Sequence, residues 1–354
     1  MNKIRDIQRV VANSNCDAML ITGPSNRRYA TGFRSTAGKV LVTKDEALFF
    51  IDSRYIEAAE EQIKDCRVME VGKRSDYILR INEAMKEHGL SRLGFEYQVV
   101  TVSDYNWFSE NLEAELIPCQ ELLTGLRSVK SADELELMKK AQSIAERAFE
   151  QVLGIISTDI TETQLAAELT HRMMMLGAEG CSFEPIIVSG DHSSIPHGEA
   201  EDVKLKNGFL IMDFGARYKG YCSDTTRTLC IGKPTEEMRK VYDTVLEAQL
   251  AGIAAAKAGV TGESIDKAAR DVINANGYKG AFGHAFGHSL GLDIHENPNA
   301  APGVKEIIPK GAVISAEPGI YLKGKFGVRI EDVLYITENG SEDITNLRKD
   351  LIIL

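Results

Sequence analysis

Five of the seven histidines, His192, His197, His284, His288 and His295, lie between positions 192 and 295, a region that also carries acidic residues at the ends of apolar runs. Phe209-Leu210-Ile211-Met212 leads directly into Asp213, and a carboxylate that ends a buried strand is costly unless it is paired or bound to a metal. Asp224 follows in Cys222-Ser223-Asp224-Thr225-Thr226-Arg227-Thr228, with ten residues between the two aspartates. With Arg217-Tyr218-Lys219-Gly220 as the turn, the flanking strands pair antiparallel and set Asp213 opposite Asp224. Side chains so placed are about 5 Å apart on one face. Two like charges that close need a cation between them.

The pattern occurs a second time. Val313-Ile314-Ser315-Ala316 runs into Glu317, and Gly327-Val328-Arg329-Ile330 runs into Glu331. His288 sits in Phe286-Gly287-His288-Ser289-Leu290-Gly291-Leu292, where glycines permit close backbone approach. Four carboxylates, Asp213, Asp224, Glu317 and Glu331, with the His288 imidazole suit two divalent ions, since their negative charge nearly balances that of the cations. Oxygen-rich donors with one histidine favour Mn²⁺, Co²⁺, Fe²⁺ or Zn²⁺ over thiolate-seeking metals. Two such ions about 3.5–4 Å apart make water nucleophilic at neutral pH and polarise a carbonyl. Taken singly, each residue has a plainer reading: an Asp after a strand is a turn or cap residue, Glu-Pro-Gly a turn, and Arg329 a salt-bridge partner. His171 and His192 read as surface or packing residues. The metal reading gains because its five members recur in one repeated frame.

That frame is set by the elements. Helices over about 132–153 and 162–176, a strand over about 183–189 and the stretch Gly208 to Ile231 are followed by a second series. Its helices span about 235–257 and 263–275, with a glycine-rich strand region over about 283–295 and then Gly311 to Thr337. Asp213-Phe214-Gly215 with Lys219-Gly220 recurs as Glu317-Pro318-Gly319 with Lys323-Gly324, at an offset of 104 residues. Duplication predicts two halves about a pseudo-twofold axis with a site between them. Ser131 and Glu134 have the capping-box form and start the first long helix.

The preceding residues read differently. An amphipathic helix carries Ile4, Ile7, Val10 and Val11, and Ala18 to Ile21 is a short strand. Residues 40–42 and 47–51 make a hairpin, followed by a helix over 55–63, a strand over 68–71, a helix over 77–85 and a strand at 93–96. This is an α/β rhythm without a cluster of ligands; its one histidine is His88. We divide the chain into a supporting domain of residues 1–125, which also shapes the substrate site or dimerises, and a catalytic domain of residues 126–354.

Composition narrows the class. The chain has 354 residues, 44% hydrophobic and 26% charged, which suits two folded domains. Its 41 basic and 52 acidic residues give a net charge of −11, the opposite of a nucleic-acid binder's footprint. No apolar run approaches the roughly 18 residues of a membrane span, and the first residues lack a signal peptide's apolar stretch. The six cysteines form no CxxC pair and read as free thiols of a cytoplasmic protein.

Met212-Asp213-Phe214-Gly215, Ser223-Asp224-Thr225-Thr226-Arg227-Thr228, Gly287-His288-Ser289-Leu290-Gly291-Leu292, Glu317-Pro318-Gly319 and Arg329-Ile330-Glu331-Asp332 together resemble the creatinase/aminopeptidase, or pita-bread, metallopeptidases. Tyr29-Ala30-Thr31-Gly32-Phe33 and Asp52-Ser53-Arg54-Tyr55 resemble that family's N-terminal domain. The resemblance implies an α+β chain: a pita-bread catalytic domain, in which helices cover a curved antiparallel sheet, behind a smaller creatinase-like α/β domain. It implies a dinuclear centre with Asp213 as bidentate ligand, Asp224 and Glu331 as bridges, and His288 with Glu317 on the other ion. Glu317 would also handle protons. His197 resembles the histidine near the scissile nitrogen, and His295 the one that stabilises the developing oxyanion. His284 resembles the extra histidine of the proline-directed branch, and Tyr321 and Arg329 look like groups that orient the ligands. Phe286, between His284 and His288, departs from many relatives and is expected to narrow or reshape the pocket.

The N-terminal domain and His284 point to the proline branch, an Xaa-Pro dipeptidase (prolidase) or Xaa-Pro aminopeptidase. The substrate is then a proline-containing dipeptide or peptide, the first metal manganese, and the assembly a homodimer whose partner's N-terminal loops help decide between the two activities. An aminopeptidase of other specificity is the nearest alternative. A metal-free creatinase-like amidinohydrolase or a non-catalytic pita-bread module would have lost ligands, and none is lost.

Overall fold

Strand-forming residues alternate with amphipathic helices through the first third of the chain, and the computed structural model, which describes residues 3–354, joins them in one mixed sheet. Strands β1 (Ala18–Ile21), β2 (Lys39–Thr43), β3 (Ala47–Ile51), β4 (Arg67–Glu70), β5 (Arg92–Phe95) and β6 (Glu115–Pro118) lie in the order β4-β3-β2-β1-β5-β6. β2 is antiparallel to β1 and β3, whereas β4 is parallel to β3, and β5 is parallel to β1 and β6. Helices α1 (Lys3–Ala12), α2 (Pro24–Thr31), α3 (Ile56–Gln62), α4 (Arg74–Glu87), α5 (Val102–Asn111) and α6 (Gln120–Ser128) complete the unit. Its strands read as continuous apolar runs because both faces are covered: Ala18 to Ile21 and Leu48 to Ile51 are all buried. Contacts separate residues up to Arg127 from a second unit, Ser128–Leu354.

The second unit is built twice over. Its first half has α7 (Ala132–Val152), α8 (Glu162–Met175), β7 (Gly180–Cys181), β8 (Ile186–Ser189), β9 (Gly208–Phe214), β10 (Ala216–Tyr218), β11 (Tyr221–Cys222) and β12 (Thr225–Ile231). The second half has α9 (Glu236–Ala255), α10 (Gly262–Ala275), β13 (Gly287–Ser289), β14 (Glu296–Ala300), β15 (Val313–Ala316), β16 (Gly319–Leu322), β17 (Phe326–Arg329), β18 (Asp332–Ile336) and β19 (Ser341–Asp343). The sheet order β12-β9-β8 matches β18-β15-β13, every pair antiparallel. Even single bridges repeat: Thr161, which caps α8, pairs with Lys204, and Thr261, which caps α10, pairs with Ile307. The capping box at Ser131 and Glu134 forms as expected from the sequence.

Period-two alternation divides each long ribbon into a core face and a site face. Leu210, Met212 and Phe214 of β9 pack with Ile144, Phe149 and Leu165 in one core, so Asp213 faces away from it. Ile314 and Ala316 of β15 pack with Val245, Ile265 and Phe286 in the other, so Ser315 and Glu317 lie on the opposite face. The two halves meet edge on. Thr228 Oγ1 accepts from the Arg329 amide at 3.1 Å and donates to the Arg329 carbonyl at 2.8 Å, and the Glu331 amide donates to the Thr226 carbonyl at 3.1 Å.

Two sequence expectations need correction. Asp213 lies opposite Thr226 rather than Asp224. The turn is Lys219-Gly220 alone, with φ of 46° and 91°, the two positive values of a tight two-residue hairpin. Pairing is therefore shifted by two residues, an even step that keeps Asp213 and Asp224 on one face, where an odd step would have separated them. Asp224 falls in the break between β11 and β12. The second correction concerns Phe286, which does not enter the pocket. Its ring is fully buried in the core of the second half, against Gly252 of α9, where a Cβ would come within 2.2 Å of the ring. Ala285 lines the cavity instead.

Candidate active site

Both carboxylate pairs stand where a two-stranded ribbon is interrupted. Asp213 is the penultimate residue of β9, and Asp224 immediately precedes β12. Glu317 follows β15, Glu331 precedes β18, and the register shared by both segments of this ribbon sets Glu317 against Glu331. Close backbone approach fixes the histidine strand: a Cβ on Gly287 would lie 1.9 Å from the Ser315 carbonyl oxygen, so only glycine fits before His288. The Glu317 amide donates to the Phe286 carbonyl at 2.8 Å.

These groups line one cavity of about 350 Å³. Asp213, Asp224, His288, Glu317 and Glu331 are all on its wall, as are His197, His284, His295 and Arg329. Every sequence candidate is thus brought to one place; Tyr321 lies just behind the wall, bonded to Arg329 and His284. Ligand atoms of Asp224, His288 and Glu331 fall within 4.8 Å of one another. His288 Nε2 is 3.6 Å from Asp224 Oδ2 and 3.4 Å from Glu317 Oε1. Its Nδ1 lies 3.1 Å from the Ser289 carbonyl, which places the proton there and leaves the Nε2 lone pair facing the carboxylates.

Arg329 ties the halves together through one buried guanidinium. It donates from Nη2 to Asp213 Oδ2 at 2.5 Å, from Nε to Thr226 Oγ1 at 3.1 Å, and from Nη1 to Tyr321 Oη at 2.7 Å and to the Pro196 carbonyl at 3.1 Å. Thr226 passes the bond on, donating to Glu331 Oε2 at 2.7 Å. Tyr321 Oη lies 3.0 Å from His284 Nε2, and His284 Nδ1 lies 2.9 Å from the Ala285 carbonyl, so both ring nitrogens are engaged. Ser315 donates to Glu317 Oε1 at 3.1 Å and accepts from the His288 amide at 3.0 Å. His295 packs edge-on against His288, with ring centres 4.3 Å apart. His197 is exposed at the rim. The turn before it rests on the β16–β17 hairpin, where the Gly327 amide donates to Ser193 Oγ at 3.0 Å.

The electrostatics are those of a site that wants cations. Burial, reinforced by the neighbouring carboxylates, pushes the Asp224 and Glu331 carboxyls well above their ordinary range. Burial lifts Glu317 to about 7 against the pull of Arg329. The same desolvation depresses the imidazoles: His288 and His295 are lowered, and His284 falls to about 3. Tyr321 is raised to about 12 by burial. For Arg329, burial opposes the charge, but Tyr321, Asp213 and Glu317 together hold it protonated. Asp213 Oδ1 is buried with no hydrogen-bond partner. A buried, unpaired carboxylate oxygen beside three more carboxylates and an imidazole lone pair fits divalent metal.

Sequence reading passed over Thr226 and Ser315 as functional groups, although each sits within two residues of a candidate ligand. It also gave no sign of the apolar wall supplied by Phe183, Ile186 and Ile294. His192 is structural: its Nδ1 lies 2.9 Å from Glu162 Oε2, a fully buried carboxylate that also accepts from Ser189. His171 is exposed. All six cysteines are free thiols. Among the described residues no helix is long and apolar enough to cross a membrane.

Comparison with known proteins agrees with this arrangement. Residues 136–338 match Metallopeptidase family M24 and residues 3–129 match the Creatinase/Prolidase N-terminal domain. The chain belongs to metallopeptidase family M24, with a creatinase-like N-terminal unit ahead of a pita-bread catalytic unit. It is 40% identical to "Uncharacterized peptidase YqhT" of Bacillus subtilis, over 99% of this chain and 100% of that one. The solved Xaa-Pro dipeptidase from Bacillus anthracis superposes with a TM-score of 0.95 at 40% identity, covering 99% of each chain. The X-Pro aminopeptidase from Thermotoga maritima MSB8 gives a TM-score of 0.92 at 35% identity, covering 98% of this chain and 100% of that one.

Proposed function

We propose that the chain is a dinuclear-metal exopeptidase that hydrolyses the Xaa-Pro bond of dipeptides, of peptide N-termini, or of both. Asp213, Asp224, His288, Glu317 and Glu331 would hold the two ions, manganese first by family resemblance; the same resemblance suggests a homodimer, and the free cysteines suggest a cytoplasmic location. The observation that carries this reading is the convergence of four carboxylates and the His288 Nε2 lone pair on one cavity wall. The specificity is supported by the similar proteins that are named for Xaa-Pro cleavage, one a dipeptidase and one an aminopeptidase. It also suits the bond, a tertiary amide with no N–H for the backbone-binding grooves of general peptidases.

The bound ions would supply Lewis-acid activation of water and of the substrate carbonyl. The chain's own residues supply the rest. Asp213 is oriented by Arg329 at Oδ2 while Oδ1 is unbonded, so both oxygens keep a lone pair for a ligand, and Thr226 holds Glu331 Oε2 in place. Glu317 Oε1 is occupied by Ser315, so Oε2 is the atom that takes a proton from the nucleophile and delivers it toward the proline nitrogen. His197, at the rim, assists that nitrogen. His295 donates to the oxyanion that forms on the scissile carbonyl. His284, with both nitrogens bonded inside the wall, shapes the space after the scissile bond rather than donating into it.

The test is hydrolysis of an Xaa-Pro dipeptide and an Xaa-Pro-Yaa tripeptide side by side with added manganese. Cleavage of the dipeptide alone identifies a dipeptidase, and efficient cleavage of the tripeptide identifies an aminopeptidase. Hydrolysis of neither refutes the proline assignment.

A further inference from the structure

The first unit contains its own cavity, of about 340 Å³, outside the carboxyl ends of β3 and β4. Asp52 and Gly72 follow the two strands, Lys39 begins β2, and Arg74, Tyr77, Trp107 and Phe108 come from α4 and α5.

The charges in this cleft do not cancel. Asp52 is held by Arg54 through two bonds, of 2.9 and 2.8 Å, and Asp104 by Arg74 at 2.6 Å. Lys39 has no carboxylate or hydrogen-bond acceptor among the described residues. Its ammonium lies over the rings of Tyr77 and Phe108, 5.3 Å from each centre. Burial pushes its pKa below the ordinary value. Two ring faces soften the cost of that charge, and the strongest opposing charge it feels is that of Asp104, which Arg74 already holds. Beside it the Arg74 guanidinium covers the Trp107 ring at 4.1 Å, so the cleft pairs one free cation with aromatic walls. The other lysine of the lining, Lys73, is exposed to water.

We propose that this cleft binds a small carboxylate with an apolar body, its carboxylate on Lys39 Nζ and its body against Trp107. A single half-buried cation matches a monoanion, because Arg74 is already committed to Asp104. The proposal is independent of the peptidase reading.

Trp107 is the single tryptophan of the chain, so emission excited at 295 nm reports on this cleft in the full-length, metal-loaded protein. Titration with cyclohexanecarboxylate should change that emission saturably, while the uncharged cyclohexylmethanol should not. Lys39→Met and Lys39→Gln should weaken the effect by about tenfold or more, the size expected for losing a charge-assisted bond. Circular dichroism shows whether both variants are folded, and the acid–alcohol comparison in the unaltered protein decides the matter if they are not. No saturable response, an equal response to the alcohol, or full binding by a folded Lys39 variant overturns the proposal. Saturation by inorganic phosphate alone overturns it as well, since a bare anion makes no use of the aromatic wall.

Discussion

Arg329 of the second half holds Asp213 of the first, Nη2 to Oδ2, at 2.5 Å. Asp213 is left with one hydrogen-bonded and one unbonded oxygen, and the same guanidinium reaches Thr226, Tyr321 and the Pro196 carbonyl. Arg329 is therefore the part whose removal should disturb both halves at once. Arg329→Met strands a buried carboxylate and should lower stability by about 3–5 kcal/mol. Arg329→Lys keeps a charge but loses the planar fork, and should recover part of the stability but little of the turnover. Thermal melts with metal analysis of each variant check this.

The site carboxyls should make an inverted pH contribution to the stability of the metal-free protein. Glu317 titrates near 7 when folded, against 4.5 for an ordinary glutamate, and Asp224 and Glu331 are raised in the same direction. The folded chain then holds these carboxyl protons where the unfolded one has lost them, so their contribution to stability falls as pH rises through that window, while the depressed His284, His288 and His295 act in the opposite sense below about 6.5. Below the unfolded value no penalty remains, and above the folded value the whole penalty is present. Relative to Glu317→Gln, the chelated protein should lose melting temperature as the pH is raised from 5 to 8. Metal uptake near pH 6 should release protons, measured by titration calorimetry in buffers of different ionisation enthalpy. Proton-neutral uptake would contradict this charge state.

Thr226→Val tests a group that sequence reading missed. The change keeps shape but deletes an oxygen that accepts from Arg329 and donates to Glu331. It should cost about 1–3 kcal/mol of stability, as expected when buried partners lose their bond. It should also reduce turnover roughly tenfold at saturating metal, through a misplaced Glu331. Steady-state kinetics at increasing manganese separate lost metal affinity from lost geometry.

Gly287→Ala should be more damaging than its one added methyl suggests. The new Cβ would meet the Ser315 carbonyl at 1.9 Å, so the strand carrying His288 or the one carrying Ser315 must move. We expect clear destabilisation, of about 1–3 kcal/mol, together with reduced metal content. Calorimetry and elemental analysis read the two effects separately.

Much of this arrangement was legible because duplication turns single ambiguous residues into a pattern. Neither Asp213 nor Glu317 alone says more than "turn", yet both end apolar strands in equivalent frames, and the fold confirms strand β15 beside β18 as it confirms β9 beside β12. The start of the first long helix followed from its cap Ser131, whose side chain bonds the first turn, whereas the equivalent cap Thr161 of α8 was not read from the sequence. The hairpin register was misread because sequence does not show which residues adopt positive φ; Lys219 does so, and that moved the pairing by two. The side to which Phe286 turns depends on the gap left by Gly252, thirty-four residues earlier, which no local pattern reveals. Thr226 and Ser315 were passed over for a related reason: a hydroxyl acquires a role only once the strands set it beside a carboxylate. In the first unit α2, α5, β6 and α6 were not read from the sequence, and of the three helices α5 has the least marked apolar face.

The most direct test of the central claim is a crystal of the manganese-loaded protein with diffraction recorded on both sides of the manganese absorption edge. Two anomalous peaks should appear inside the cavity, within bonding distance of Asp213, Asp224, His288, Glu317 and Glu331. A lone peak, or peaks bound elsewhere with these five groups left free, would contradict the account.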